Sequence, residues 1–346
     1  MNQMKRGTRK QWRWAACAGW LIAAPAFAGS PERLGTAGAE ELRMPVGVRS
    51  VGLGGADAGG VAGVEALYYN PAGIALAVSP TEVMFSHTQL IADMDLDYVA
   101  VTQRMGRAGT LGLSVKALSI GDIERTSETA PDGTGEIFSP TFAVLGLSFG
   151  RELTDRVTFG ATLSYVSEHI LQENARALAF DFGFQYDTDF RGLRFGLAMK
   201  NVGPSAQFTG TDFERLQQIG GDDPQAAKRA LSSGSADFEL PTWFQFGLSY
   251  PALRGPQGVL TVHGLYTSNS FMVDEGRIGA EYLYRKDYAL RAGYKLTTDG
   301  SDLFGFTYGA GIRVAVGSSH LWLDYAGESV SEFFNDVQHL GLTFQF

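Results

Sequence analysis

The 346-residue sequence has one cysteine, 12 prolines and, beyond its first thirty positions, no stretch of 18 apolar residues. Each scarcity excludes something. Cys17 sits near the N-terminus in Trp14-Ala15-Ala16-Cys17, which no apolar run precedes, so it makes a poor lipidation box, and the rest of the chain can form no disulfide. Without a long apolar run no helix can cross a bilayer. If the chain lies in a membrane it does so as a closed barrel, the other structure that satisfies every backbone group in hydrocarbon. Basic residues are also scarce. Lys5, Arg6, Arg9, Lys10 and Arg13 cluster at the start, and without those five, 23 basic side chains face 37 acidic ones, a formal charge of −14. That sign argues against a nucleic-acid partner.

Those five cations form the basic region of a Sec-type leader. Trp14 to Ala24 is its apolar core and Ala26-Phe27-Ala28 a small-x-small cleavage site, so residues 1–28 are expected to be a signal peptide. The other end is Leu340-Gly341-Leu342-Thr343-Phe344-Gln345-Phe346. Leu340, Leu342, Phe344 and Phe346 fall on one face of such a strand and Gly341, Thr343 and Gln345 on the other, the lipid-out, lumen-in dyad of a membrane strand. Phe344 and Phe346 are the expected barrel-assembly signal. The 44 glycines, 13 tyrosines and 23 phenylalanines fit the same class.

Between those ends, residues 29–80 are irregular and glycine-rich, and 81–346 resolve into runs of period-two alternation separated by turn residues. Fourteen are expected, near 81–91, 95–106, 109–120, 137–151, 156–169, 175–187, 192–200, 241–250, 257–268, 273–285, 287–297, 303–316, 318–327 and 336–346. With both termini periplasmic, long outer loops should follow odd strands, and 121–136, 201–240 and 328–335 do. The reading is an all-β, fourteen-stranded antiparallel transmembrane β-barrel with an N-terminal glycine-rich plug, in a bacterial outer membrane. Within 201–240, Asp222 to Leu231 reads as an N-cap, a proline at N1 and a short helix.

The chemical motifs are weaker. Val48 to Gly60 is glycine-rich but lacks the third glycine and the lysine of a phosphate loop. Asp93, Asp95 and Asp97 start like a calcium loop, yet Tyr98 and Arg104 stand where glycine and glutamate belong, so no metal site is assigned. His87, His169, His263, His320 and His339 have no nucleophile motif around them. No catalytic residue and no cofactor is expected, and the chain reads as a non-enzyme. Lys116, Asp181, Glu281, Arg291, Lys295, Arg313 and Asp324 fall on the polar faces of their strands. Mixed signs inside a narrow barrel point to paired charges that fill it, not to an ion-selective pore.

Leu67-Tyr68-Tyr69-Asn70-Pro71-Ala72-Gly73-Ile74-Ala75 carries a resemblance, together with Gly52 to Ala58, Gly109 to Ser114, Leu153 to Arg156, Asn201-Val202-Gly203, Glu239-Leu240-Pro241 and Arg291 to Lys295. From about residue 35 to 346 the chain resembles the PorV/PorQ family, relatives of the FadL-like barrels. The resemblance implies a plugged fourteen-stranded barrel in which Asn70, Pro71, Ala72 and Gly73 form the plug element. Val61-Ala62-Gly63-Val64-Glu65 departs from the acidic pair that many relatives carry there. Two functions follow from it. One is a type IX secretion and surface-attachment component, with a translocon, a sortase and cargo C-terminal domains as partners. The other is a FadL-like channel for fatty acids or aromatic hydrocarbons. Outer-membrane lipid and the barrel assembly machinery are expected partners of either. A transporter should have apolar inward positions. Those here read as small, polar and charged, which favours the secretion component.

Overall fold

The computed structural model describes residues 31–217, 229–297, 304–330 and 335–346, so the leader and residues 222–228 of the expected loop helix lie outside it. Fourteen antiparallel strands form the wall: β1 (Thr81–Gln89), β2 (Asp95–Arg104), β3 (Thr110–Ser119), β4 (Thr141–Glu152), β5 (Val157–Ile170), β6 (Glu173–Asp187), β7 (Arg194–Val202), β8 (Trp243–Arg254), β9 (Gly258–Asn269), β10 (Glu275–Tyr284), β11 (Tyr288–Thr297), β12 (Phe304–Val316), β13 (Ser319–Val330) and β14 (Val337–Gln345). Each pairs with its sequence neighbours, and β1 pairs with β14 from Glu82↔Gln345 to Gln89↔Gln338. The barrel is closed and has no free edge.

Alternation gives every strand two faces. Leu111, Leu113 and Val115 on β3, Leu145, Leu147 and Phe149 on β4, and Phe180, Phe182 and Phe184 on β6 point outward and stay exposed, while the residues between them are buried, or half-buried at Ser114. An exposed apolar exterior with a polar interior is the pattern of a wall solvated by lipid. The connections sort by end. Residues 105–109, 153–156, 188–193, 255–257, 285–287 and 317–318 are short, whereas 120–140 and 203–242 lie at the other end.

The strand expected at 137–151 is corrected: Ile137–Phe138 instead pairs with Ile123–Glu124 in the loop. Pro140, which has no N–H for the ladder, separates that pair from β4. The expected helix is corrected at its described end, because Arg229–Ser232 pairs with Glu214–Gln217 as a hairpin.

Between β6 and β7 the register shifts from Phe182↔Met199 to Phe180↔Val202. Asn201, in the left-handed region with φ 57°, gives its N–H to Asp181 Oδ1 at 2.7 Å instead of to the ladder. Residues 31–80 run inside this wall. The segment starts at the long-loop end, where Gly35 N–H reaches Phe271 O at 3.0 Å and Gly38 N–H reaches Glu239 O at 3.1 Å. It proceeds through short helical turns, including Val48–Val51, Ala66–Tyr69 and Pro71–Leu76. It leaves at the short-turn end, where Arg104 holds the carbonyls of Ala77 and Pro80.

Candidate functional site

Two devices bring the N-terminal segment against the wall. The first is glycine. On β5 to β8, β10 and β11, Gly160, Gly183, Gly196, Gly247, Gly279 and Gly293 turn their missing side chains inward, and the segment's backbone occupies the space. A Cβ on Gly247 would lie 2.5 Å from Gly59 N, and one on Gly279 2.5 Å from Leu53 O. The second device is the inward polar side chain. Lys116 Nζ donates to the carbonyls of Glu41 and Met44 at 3.1 and 2.9 Å, Lys200 Nζ to Tyr68 O at 2.7 Å, and Gln185 Nε2 to Val61 O at 2.8 Å. Glu82 accepts Val64 N–H at 2.9 Å. Short helical turns leave many backbone groups unsatisfied, and the wall supplies partners that a continuous helix would have supplied itself.

The Asn70 to Gly73 element lies where β6 and β7 meet. Asn70 is fully buried, and its Nδ2 donates to Ala58 O at 3.0 Å, Phe184 O at 3.1 Å and Leu197 O at 3.4 Å, the last two on facing strands. Its Oδ1 accepts Ala72 N–H at 3.2 Å, capping the turn that Pro71 begins. Ala72 is buried there, and a side chain on Gly73 would run into Val61 O and Ala66 Cβ.

The seven inward charges separate into distinct groups. Glu281, Arg291 and Asp324 join Arg49 of the segment: Arg49 grips Glu281 with two bonds of 2.9 Å, Arg291 Nε reaches Glu281 at 2.8 Å, and its Nη1 reaches Asp324 at 2.5 Å. Asp181 pairs with Lys200, and Lys116 takes the two carbonyls already named. Lys295 meets Glu275 at 3.3 Å beside Arg277 at 2.7 Å and Arg43 at 3.5 Å. Arg313 bonds Asp287 at 2.8 Å at the short-turn end.

Sequence reasoning missed Arg49, Arg43, Lys200, Glu275 and Arg277. Glu275 and Arg277 share the parity of Glu281, and Lys200 that of Gly196, so alternation could have found them. Arg49 and Arg43 lie in irregular chain and gave no such signal. Glu65 accepts Arg49 N–H at 3.1 Å and lies 3.2 Å from Ser50 Oγ. Burial pushes its carboxyl up to about 7, although Arg49 opposes the shift.

Expected to be small and polar throughout, the inner surface is apolar on one side. Met84 on β1, Leu96, Tyr98 and Ala100 on β2 and Leu118 on β3 pack with Val46, Val61, Val64, Leu67 and Ile74 of the segment. Alternation placed these residues inward, but only the packing shows that they form one patch with the segment. Above this seam, at the long-loop end, a cavity of about 450 Å³ opens between the segment and the wall. Its apolar lining is Met44, Leu90, Ile91, Met94, Met272 and Val273, and Arg43, Glu275, Arg277 and Lys295 also line it. Phe344 and Phe346 stack with ring centres 6.3 Å apart on the outer face, away from the cavity.

The closed fourteen-stranded barrel has solved counterparts. The CymD monoaromatic hydrocarbon channel aligns with 87% of this chain and 97% of its own at a TM-score of 0.54 and 15% identity. The toluene transporter TodX of Pseudomonas putida aligns with 86% of this chain and 96% of its own at 0.55 and 14%. No family model matches the chain, and no curated protein sequence matches it. At these identities the likeness establishes the fold. The PorV/PorQ resemblance finds no family match.

Proposed function

We propose that the chain is a channel for small hydrophobic solutes in an outer membrane, with residues 31–80 as its internal plug. The carrying observation is the 450 Å³ cavity at the long-loop end, whose apolar mouth stands above the apolar seam along β1 and β2. Its size suits one small ligand, and its lining joins the apolar side chains to a charged set, Glu40, Arg43, Glu275, Arg277, Lys295 and Glu328. The exposed apolar exterior supports the membrane setting, and the hydrocarbon-channel architecture supports the solute class. On this reading the long-loop end faces outside, and the inward charges hold the plug. No metal or catalytic step is involved. Of the two functions implied by the resemblance, this is the solute channel. The secretion component, with its translocon, sortase and cargo partners, rested on the resemblance and on inward positions that read as polar, and the apolar seam along β1 and β2 weakens the second ground.

Cells carrying the chain in the outer membrane should take up dilute toluene faster than cells with an empty vector, and the gain should vanish when residues 81–346 are replaced by an unrelated barrel. Equal uptake with and without the chain overturns the reading. Loss of uptake on adding exported cargo domains would restore the secretion component instead.

A further inference from the structure

Three cavities lie in series inside the barrel, and a single side chain is common to the inner two. The outer one, of about 450 Å³, shares Arg43, Pro45, Gly55, Glu275 and Arg277 with a second of about 60 Å³, which brings Tyr68, Tyr69 and Trp243 together. The third, of about 40 Å³, is lined by Leu42, Leu67, Tyr98, Lys116 and Asp181 among others, and only Tyr68 belongs to both it and the second. Neither inner cavity admits a benzene ring, which occupies a dry cavity of roughly 150 Å³.

We propose that the Tyr68 ring is the gate between the two inner cavities, and that with Lys116 and Lys200 beside it the passage favours monocyclic aromatic solutes over saturated ones of the same size. The proposal rests on the hydrophobic-solute reading. Swinging the ring aside merges the two inner cavities and adds the volume the ring vacates. Tyr68 is built for such a movement. It is half-buried where its neighbour Tyr69 is buried, and its hydroxyl holds it by donating to Arg43 O at 2.8 Å, with Leu42 O at 3.3 Å. Lys116 Nζ lies 4.3 Å and Lys200 Nζ 5.4 Å from its ring centre. When the ring leaves, both ammonium groups lose an aromatic face. An aromatic solute restores that face and an alkane does not. Tyr69, edge-on to Tyr68 at 4.9 Å, and Trp243 are the further aromatic walls of the merged space.

The test measures initial uptake of toluene and of methylcyclohexane by vesicles containing the full barrel with Tyr68, Tyr68→Phe or Tyr68→Ala. Folding is checked by the difference in gel migration between boiled and unboiled samples. Phe keeps the ring and loses the hydroxyl tether, so toluene uptake should rise about two- to tenfold, the range expected for one net hydrogen bond. Ala should raise uptake of both solutes and keep the preference for toluene, because Lys116 and Lys200 then stand without an aromatic face that only the aromatic solute supplies. A second readout uses Trp322→Phe protein expressed from Gly29, whose remaining tryptophan is Trp243. Toluene should change Trp243 emission and methylcyclohexane should not.

Equal toluene rates in the parent and Tyr68→Phe overturn the gate, whether or not Tyr68→Ala folds. So does equal uptake of the two solutes by the parent. If the parent takes up neither solute, the channel reading fails, while a toluene-specific Trp243 response would still uphold the aromatic site.

Discussion

The inner wall meets the N-terminal segment differently on two arcs. From β5 to β8 bare wall backbone meets the segment, whose backbone faces Gly160, Gly196 and Gly247 while the Asn70 side chain and the Pro71 ring face Gly183, and Asn70 is bonded to carbonyls of both β6 and β7. Along β1 and β2, strands with no glycine at all, the contact is side chain against side chain through Met84, Leu96, Tyr98 and Ala100. A glycine contact has no slack, because the nearest atoms are backbone at Gly160, Gly196 and Gly247 and, at Gly183, the buried Asn70 amide held by hydrogen bonds and the Pro71 ring. A methionine or leucine contact can repack into another rotamer. One arc therefore fixes the segment, and the other is where, on the proposed function, its surroundings yield to a solute.

The sharpest way to break this contrast is Gly183→Val. Its Cβ would fall on Asn70 Oδ1 and Pro71, so the segment should not seat, and protease should cut residues 31–80 in nearly all molecules. Wild-type protection in that variant would show that the glycine arc is not a clamp. Arg49→Ala comes next. It leaves Glu281 buried with Arg291 as its remaining partner, an expected cost of about 1.5–3 kcal/mol, the range for hydrogen bonds to a charged group. The readout is the temperature at which unboiled protein loses its folded migration, and added Glu281→Gln should return part of the loss.

Acidity sharpens the comparison in a third way. Glu65 is raised to about 7, so the stability linked to its proton is fully present below its ordinary value near 4.5 and is lost as pH rises through about 7. Proteolysis of the segment should therefore accelerate between about pH 5 and 8, and Glu65→Gln should flatten that dependence. Asn70→Ala should cost about 1–3 kcal/mol by leaving buried backbone carbonyls unpaired, seen as faster cutting within 31–80. The smallest effect belongs to the yielding arc. Met84→Leu should cost less than about 1.5 kcal/mol and leave protease protection unchanged, since the volume is conserved. A loss as large as that of Asn70→Ala would erase the distinction between the arcs.

Strand number, order and outward faces were legible because a strand repeats every two residues, and lipid selects an unbroken apolar face from Leu111 to Phe344. Even the arcs left a mark, since β1 and β2 are the strands written without glycine. The inward charges were legible as positions but not as pairs. Arg291 could not be assigned to Glu281, Asp324 and, through Glu281, to Arg49, because those partners come from other strands and from a segment with no periodicity.

The site was less legible still. Tyr68 stands in an ordinary run, Leu67-Tyr68-Tyr69, and nothing local separates its ring from that of Tyr69. The sequence by itself determined a closed wall, its outer and inner surfaces and which end carries long loops, because each follows from local alternation and turn chemistry. Only the tertiary structure decided where the irregular residues 31–80 run, which glycines they press upon and which cavities they leave. Those outcomes depend on contacts between residues such as Asn70 and Leu197 or Arg49 and Glu281, far apart in the chain and brought together only when the barrel closes around the segment.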